Sequence, residues 1–147
     1  MLFAALDRWR SPPPDPARSQ WLKDWRYAHR GLHGAGVPEN SPSAFAAAIA
    51  RGMGIECDIQ RSADGQAMVF HDDELDRLTG EVGPVARHNA AALGKIALAG
   101  SSDTIPTLRQ VLDQIAARVP ILIEIKSGRG SGRRVGAACL AVRRVLE

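Results

Sequence analysis

The chain has 147 residues, 45% of them hydrophobic and 24% charged, which is enough for one globular domain with a buried core. A formal charge of +3 is too small and too scattered an excess to indicate nucleic-acid binding. The two cysteines form no CxxC pattern, so they indicate neither a disulfide framework nor a zinc site, and we predict that Cys57 and Cys139 are small core residues.

The N-terminal region is expected to lie outside the folded domain. Its apolar run is too short for a secretory signal or a membrane span, which predicts a cytoplasmic protein without stable membrane insertion. The stretch "SPPPDP" (11–16) is predicted to be a stiff linker that excludes regular structure. We therefore divide the chain into an appendage, residues 1–24, and one domain, residues 25–147, with order beginning near Trp21 or Trp25.

The first elements of the domain alternate between strand and helix. "RYAHRG" predicts a short strand, and "SAFAAAIARG" predicts a helix with Ser41 or Ser43 as N-cap and an end at Gly52. "GIECDIQ" (54–60) predicts a second strand. The pair Asp64-Gly65 indicates a turn, and "QAMVFHDD" (66–73) predicts a third strand.

Later elements continue the same rhythm. Residues 74–102 are expected to be irregular except for a short helix at 89–93. "TLRQVLDQIAARV" (107–119) predicts an amphipathic helix capped by Thr107, followed by a strand in "PILIEIKSG" (120–128). A last helix, 133–147, is predicted with Val135, Cys139, Val142 and Leu146 in one apolar stripe. This order is typical of a parallel α/β fold whose sheet is covered on both sides.

Chemically able side chains collect at the C-terminal ends of the predicted strands. Glu56 and Asp58 share one face of their strand, where they either meet water or require a cation. The pairs at the four strand ends are His29-Arg30, Glu56 with Asp58, His71-Asp72, and Glu124 with Lys126. In a parallel barrel this is the rim at which active sites are built.

The motifs "AHRG", "PENS", "ECDIQ", "VFHDDELDRLTG", "IPTLRQVL" and "LIEIK" occur in this order between Tyr27 and Ser127. Together they resemble the glycerophosphodiester phosphodiesterases. The resemblance implies a (β/α)8 TIM-type barrel that hydrolyses glycerophosphodiesters to sn-glycerol 3-phosphate and an alcohol with a divalent cation.

The resemblance also implies a role for each matching residue. The metal ligands are Glu56, Asp58 and Glu124, the catalytic histidines are His29 and His71, the residues near the phosphoryl oxygens are Arg30 and Lys126, and Glu39 is a further acidic position close to the metal. Oxygen-only ligands suit Mg²⁺ or Ca²⁺, and two histidines could divide the proton transfers. Which histidine is the base stays open, as does the nucleophile, water or a substrate hydroxyl. His33 and His88 lie outside the motifs and are predicted to be surface loop residues.

The length conflicts with a complete barrel, which needs about 250 residues. We expect only about the first four β/α units, a partial barrel that is either truncated or self-associating as a homo-oligomer. Three functions remain open. They are a metal-dependent phosphodiesterase acting on small molecules, a non-catalytic remnant that binds metal or associates, and a related phospholipase D acting on lysolipids or sphingolipids.

Overall fold

The computed structural model describes residues 15–126 and 132–147, with side chains from 136 onward in the second range. Its first element is a short helix, α1 (Pro16–Ser19), followed by a 3-10 turn at Gln20–Asp24. The prediction that the proline-rich linker excludes regular structure is wrong at its last residue. Pro16 begins α1 because proline suits the first helical turn, and the Asp15 side chain accepts a hydrogen bond from the Ala17 amide at 3.0 Å. The rest of the linker lies outside the described residues.

Four strands form one sheet around β2 (Gly54–Arg61). Both β1 (Tyr27–Ala28) and β4 (Ile121–Ile125) pair with β2 in parallel, whereas β3 (Ala67–Val69) pairs with it antiparallel. Ile59 faces Val69 on one edge and Ile125 on the other. The prediction of about four parallel β/α units is therefore wrong: three described strands run parallel. The Asp64-Gly65 turn is too short for a crossover and folds β3 back as a hairpin.

Helices follow the predicted order, with capping at their first turns. Helix α2 (Pro42–Ala50) is capped by Ser41, whose hydroxyl accepts from the Ala44 amide at 3.1 Å. Helix α3 (Ala90–Leu93) begins at the predicted place, with Asn89 as its cap. Two longer helices follow, α4 (Leu108–Ile115) and α5 (Gly132–Leu146).

Helix α4 is shorter than predicted. Ala116 and Ala117 have φ values of 47° and 57°, so the chain leaves the helix before Val119. Arg118 donates side-chain hydrogen bonds to the carbonyl oxygens of Gln114 and Ile115 at the helix end. Val119 is thereby free to be buried in the core beside the sheet.

Two hydrophobic clusters hold the fold together. The larger one joins one face of β2, through Ile55, Cys57 and Ile59, to helices α2, α4 and α5. The second cluster lies under the long segment between β3 and α4, and includes Leu75, Leu78 and Leu93. That segment has little regular secondary structure, but its own buried apolar residues hold its loops in place relative to the sheet.

The predicted apolar stripe of the last helix is wrong in part. Of the two predicted core cysteines, Cys57 of β2 is buried, but Cys139 of this helix is exposed. Along the predicted stripe, Val142 is buried, Leu146 is exposed, and the side chain of Val135 lies outside the described residues. Ala138 and Ala141 take the inward positions instead. Small residues there allow close approach of the helix to the sheet. No helix in the described ranges is long and apolar enough to cross a membrane.

Candidate metal centre and catalytic site

The site begins at the end of β1, where the backbone turns sharply. Arg30 has φ 55°, a left-handed conformation that costs a non-glycine residue free energy. This turn directs the Arg30 amide to the Glu56 carboxylate, at 2.9 Å from Oε2. His29 precedes it with a side chain that is 70% exposed, and its Nε2 lies 4.0 Å from the same Glu56 oxygen. The first predicted histidine is therefore at the site, and open to solvent.

Three carboxylates meet on the face of the sheet opposite the large core. Glu56 and Asp58 alternate with the buried apolar residues of β2, as predicted, and Asp58 is paired in register with Glu124 of β4. One carboxylate oxygen from each lies within 4.8 Å of the other two. The three predicted metal ligands are thus brought together by two adjacent parallel strands.

Asp58 is the most buried member of the cluster, with 1% of its side chain exposed. Lys126 places Nζ 2.9 Å from Asp58 Oδ1 and 2.8 Å from Glu124 Oε1, and Arg30 Nε lies 3.3 Å from Asp58 Oδ2. Burial alone would raise the pKa of Asp58, but the hydrogen bond from Asn40 and the nearby positive charge of Lys126 hold that pKa below its usual value. Asp58 is therefore an anion in the folded protein.

Asn40 is a site residue that sequence reasoning missed. Its Nδ2 donates to Asp58 Oδ2 at 2.9 Å, and its Oδ1 accepts from the Asp58 amide at 3.3 Å. The side chain is fully buried and the backbone is left-handed, with φ 55°. The available signal was its place beside Glu39 in "PENS", because a short polar residue that tolerates this conformation is suited to a buried turn.

Glu39 lies outside the group of three acids in the described part of the chain. Its Oε1 is 2.9 Å from Arg30 Nη1 and 2.6 Å from Arg77 Nη2, and its Oε2 is 3.3 Å from Arg77 Nη1. Burial would raise the pKa of Glu39, but these two guanidinium groups lower it. Here Glu39 is a partner for arginines, and Arg77 is a second residue that the sequence reasoning did not single out.

The second predicted histidine reaches the site by a different route from the first. His71 follows β3, which is antiparallel to β2, so the hairpin turns the chain back and brings His71 beside Asp58. The neighbouring Phe70 amide donates a hydrogen bond to the Asp58 carbonyl at 3.0 Å. His71 Nδ1 lies 2.5 Å from Asp72 Oδ1. Burial would raise the pKa of Asp72, but hydrogen bonds from Arg77 and His71 lower it, so this carboxylate is an anion that accepts a hydrogen bond from the ring Nδ1–H.

An open cavity of about 290 Å³ adjoins His71. It is lined by Gln60, His71, Asp72, Asp73 and Lys126. Gln60 Nε2 donates to the His71 carbonyl at 3.0 Å and to Asp73 Oδ1 at 3.1 Å, which holds the cavity wall in place. The cavity therefore lies between His71 and Lys126, and its lining is polar.

The other two histidines stand apart from the acids. His33 is an exposed loop residue, as predicted. His88 is half-buried, and its carbonyl accepts a hydrogen bond from the Ala63 amide at 2.8 Å, so the prediction of a plain surface residue is wrong for it.

The donor set fits a hard divalent cation. Three carboxylates converge, and Asp58 Oδ1 is buried without a well-directed hydrogen bond among the described residues, although the Lys126 ammonium lies close. Oxygen-only ligands of this kind favour Mg²⁺ or Ca²⁺ over zinc. The residues present can therefore hold such an ion.

The sheet is parallel except at β3, and acids, two histidines and two cations converge at one of its rims. This arrangement defines a class of α/β protein whose site is suited to an anionic ligand. Comparison with known proteins makes the class specific. Residues 29–146 match the glycerophosphoryl diester phosphodiesterase family, and the chain belongs to that family.

Curated relatives and solved structures agree with this assignment. The chain is 38% identical over 116 residues to a glycerophosphodiester phosphodiesterase of Caldanaerobacter subterraneus subsp. tengcongensis, covering 73% of this chain and 47% of the relative. It resembles a phosphodiesterase of Oleispira antarctica solved with the product sn-glycerol-3-phosphate, with TM-score 0.73, 28% identity, and coverage of 83% and 51%. An enzyme of Thermotoga maritima gives TM-score 0.68, 30% identity, and coverage of 82% and 48%.

The solved neighbours are TIM-barrel enzymes, and the described part of this chain is α/β with a largely parallel sheet, which agrees with the predicted barrel class; the partial barrel stays a prediction. The chain spans about half the length of these relatives. All eight predicted site positions fall within the half that the chain covers.

Proposed function

We propose that this chain carries the catalytic centre of a metal-dependent glycerophosphodiesterase, which hydrolyses glycerophosphodiesters to sn-glycerol 3-phosphate and an alcohol. The observation that carries the proposal is the convergence of Glu56, Asp58 and Glu124 within 4.8 Å, beside cations and histidines. The activity of the named relatives, and the product bound in the Oleispira antarctica structure, support this substrate class.

Glu56, Asp58 and Glu124 would hold the divalent ion, Mg²⁺ or Ca²⁺. When bound, such an ion polarises a phosphoryl oxygen and neutralises charge that builds up in the transition state. The chain's own cations add to this effect. Arg30 and Lys126 already face the acids and can bind the remaining phosphoryl oxygens of a phosphodiester, which is an anion.

The two histidines divide the proton transfers in this proposal. With Nδ1–H donated to Asp72, the other ring nitrogen of His71, Nε2, exchanges a proton with the substrate. His29 is solvent-exposed and close to Glu56, where it can exchange a proton with the second reacting group. One histidine activates the nucleophile, and the other protonates the departing alkoxide.

The alternative is metal binding without turnover. In that case the acids would hold an ion, and no substrate would be hydrolysed. A second copy of the chain is the partner that we propose for association.

The proposal is tested by release of glycerol 3-phosphate from glycerophosphocholine, with Mg²⁺, with Ca²⁺ and with chelator. We expect metal-dependent release that falls by at least about 100-fold in Glu56→Gln and in His29→Ala. His33→Ala, a change at an exposed histidine outside the site, is the matched control and should keep full activity.

Metal binding is measured separately by calorimetry on the same proteins. Binding that is lost in Glu56→Gln, with no turnover by the folded wild-type chain, would assign the metal-binding alternative. Faster hydrolysis of lysolipid aggregates than of glycerophosphocholine would instead indicate the phospholipase D activity.

A further inference from the structure

Arg77 lies in the loop that follows β3, and its position is fixed by packing. Leu75 and Leu78 on either side of it are buried in the second hydrophobic cluster. The Leu75 amide donates to the Gly83 carbonyl at 3.0 Å, and the Thr79 amide donates to the Leu75 carbonyl at 3.1 Å. The guanidinium is therefore presented to the site from an anchored loop, although its side chain is half exposed.

One guanidinium contacts two carboxylates from different parts of the chain. Arg77 Nε lies 2.6 Å from Asp72 Oδ2, and its terminal nitrogens lie 2.6 Å and 3.3 Å from the two oxygens of Glu39. The two acids are only 24% and 12% exposed. Their charges would repel without a cation between them, and only a planar fork can contact both at once.

Each of these two carboxylates also contacts a further side chain of the site. Asp72 holds Nδ1 of the His71 ring, and Glu39 holds the Arg30 guanidinium. A continuous line of ion pairs thus runs from His71 through Arg77 to Arg30. It joins the loop after β1 to the loop after β3, two strands that, in the described sheet, each pair with β2 and not with one another.

We propose that Arg77 is a positioning residue that fixes the His71 ring and the Arg30 side chain relative to each other by bridging Asp72 and Glu39. The proposal rests on the proposed function for its effect on turnover, but its structural part does not need turnover. Isolated surface ion pairs contribute little to stability. Arg77 should accordingly matter more for the geometry of the site than for stability.

The deciding measurement is ¹⁵N NMR of the His71 ring in the full chain. In the wild type we expect the tautomer with the proton on Nδ1, and slow exchange of that proton with water. Asp72→Asn is the positive control, because it removes the ring's own carboxylate. In Arg77→Gln we expect mixed tautomers and exchange at least 10-fold faster, and in Arg77→Lys the same change, because an ammonium cannot bridge both acids.

Arg87→Gln is the matched control. Arg87 is an exposed arginine in the same long segment, in the 3-10 turn at Val85–Arg87, and its replacement should leave the His71 ring unchanged. A His71 ring in Arg77→Gln and Arg77→Lys that is indistinguishable from wild type would overturn the proposal. If Arg77→Gln does not fold, the His71 ring measurement on Arg77→Lys, which keeps the positive charge and a similar length, decides whether Arg77 positions the ring.

Turnover separates this proposal from the proposed function. In an active chain, Arg77→Gln should lower kcat by about 10–100-fold with KM within about twofold, as for other residues that orient a catalytic ligand. A wild-type chain without turnover counts against the proposed function, and the ring measurement still decides the role of Arg77.

Discussion

At the scale of single residues, Asn40 controls the most buried charge of the site. Its amide group both donates to Asp58 and accepts from the Asp58 backbone, a pairing that requires both ends of the amide. Aspartate has the same shape but no donor. Replacing Asn40 with aspartate would therefore leave two carboxylates facing each other away from water.

We expect Asn40→Asp to lower the free energy of unfolding by about 2 kcal/mol or more at pH 7, because a buried hydrogen bond becomes a repulsion. Urea denaturation followed by circular dichroism measures the loss. The matched control is Asn89→Asp at the exposed cap of α3, where aspartate is as good a cap as asparagine and the change should be close to zero. Equal, small effects at both positions would show that Asn40 does not hold Asp58.

The sequence allowed the shared face of the first two acids of the site to be predicted, but not the residues that contact them. Alternation along β2 places Glu56 and Asp58 on one face whatever the tertiary structure. The contacts of Asn40 and Arg77 depend on where two separate loops meet, and neither residue has a periodicity that marks it. Contacts of this kind can be identified only from the folded structure, in which the two loops meet.

At the scale of elements, the turn between β1 and α2 depends on how closely the backbone can pack. Gly31 has φ +80°, and a Cβ built on it would lie 2.8 Å from Ala44 Cβ on α2. The following Leu32 amide donates to the Ala44 carbonyl at 3.0 Å, so the turn is held against the helix. The position of Arg30 and His29 therefore depends on the absence of a side chain at residue 31.

We predict that Gly31→Ala costs about 2–4 kcal/mol of stability, of which about 1 kcal/mol is backbone strain and the rest is the clash with α2. Gly36→Ala separates the two contributions, because Gly36 has a similar φ of +76° but nothing within 4 Å of a built Cβ. It should cost only the strain. Thermal or urea unfolding of both variants tests this, and a smaller loss in Gly31→Ala than in Gly36→Ala would contradict it.

Element type was easier to predict than element partnership. The caps at Ser41, Asn89 and Thr107 mark real helix starts because capping is a local interaction. The direction of β3 was not read correctly, since an apolar run of three or four residues has the same pattern in a parallel and an antiparallel pair. The decisive feature was the length of the connection: only residues 62–66 lie between β2 and β3, which is too short for a crossover.

At the scale of the whole molecule, the sheet formed by the described residues has an open edge at β4. In the described ranges β4 pairs with β2 alone. The Pro120 carbonyl and the Lys126 amide both bond to β2, so by alternation the amides of the odd-numbered residues between them point away from it. Leu122 is half-buried, on the face of the acids, and belongs to neither hydrophobic cluster. Unpaired backbone groups beside a partly exposed leucine favour strand addition.

We therefore predict that the chain self-associates through the β4 edge, with a second copy as the partner. Sedimentation velocity between about 1 and 100 µM should show a dimer fraction that rises with concentration. Leu122→Ser should shift this equilibrium at least 10-fold toward monomer, because it removes apolar area at the edge and leaves the core intact. Leu140→Ser, which changes a leucine of α5 that is 54% exposed, is the matched control and should have no effect. A monomer at every concentration, or a larger effect of Leu140→Ser, would reject the β4 edge as the site of association, and any activity would then belong to a single copy.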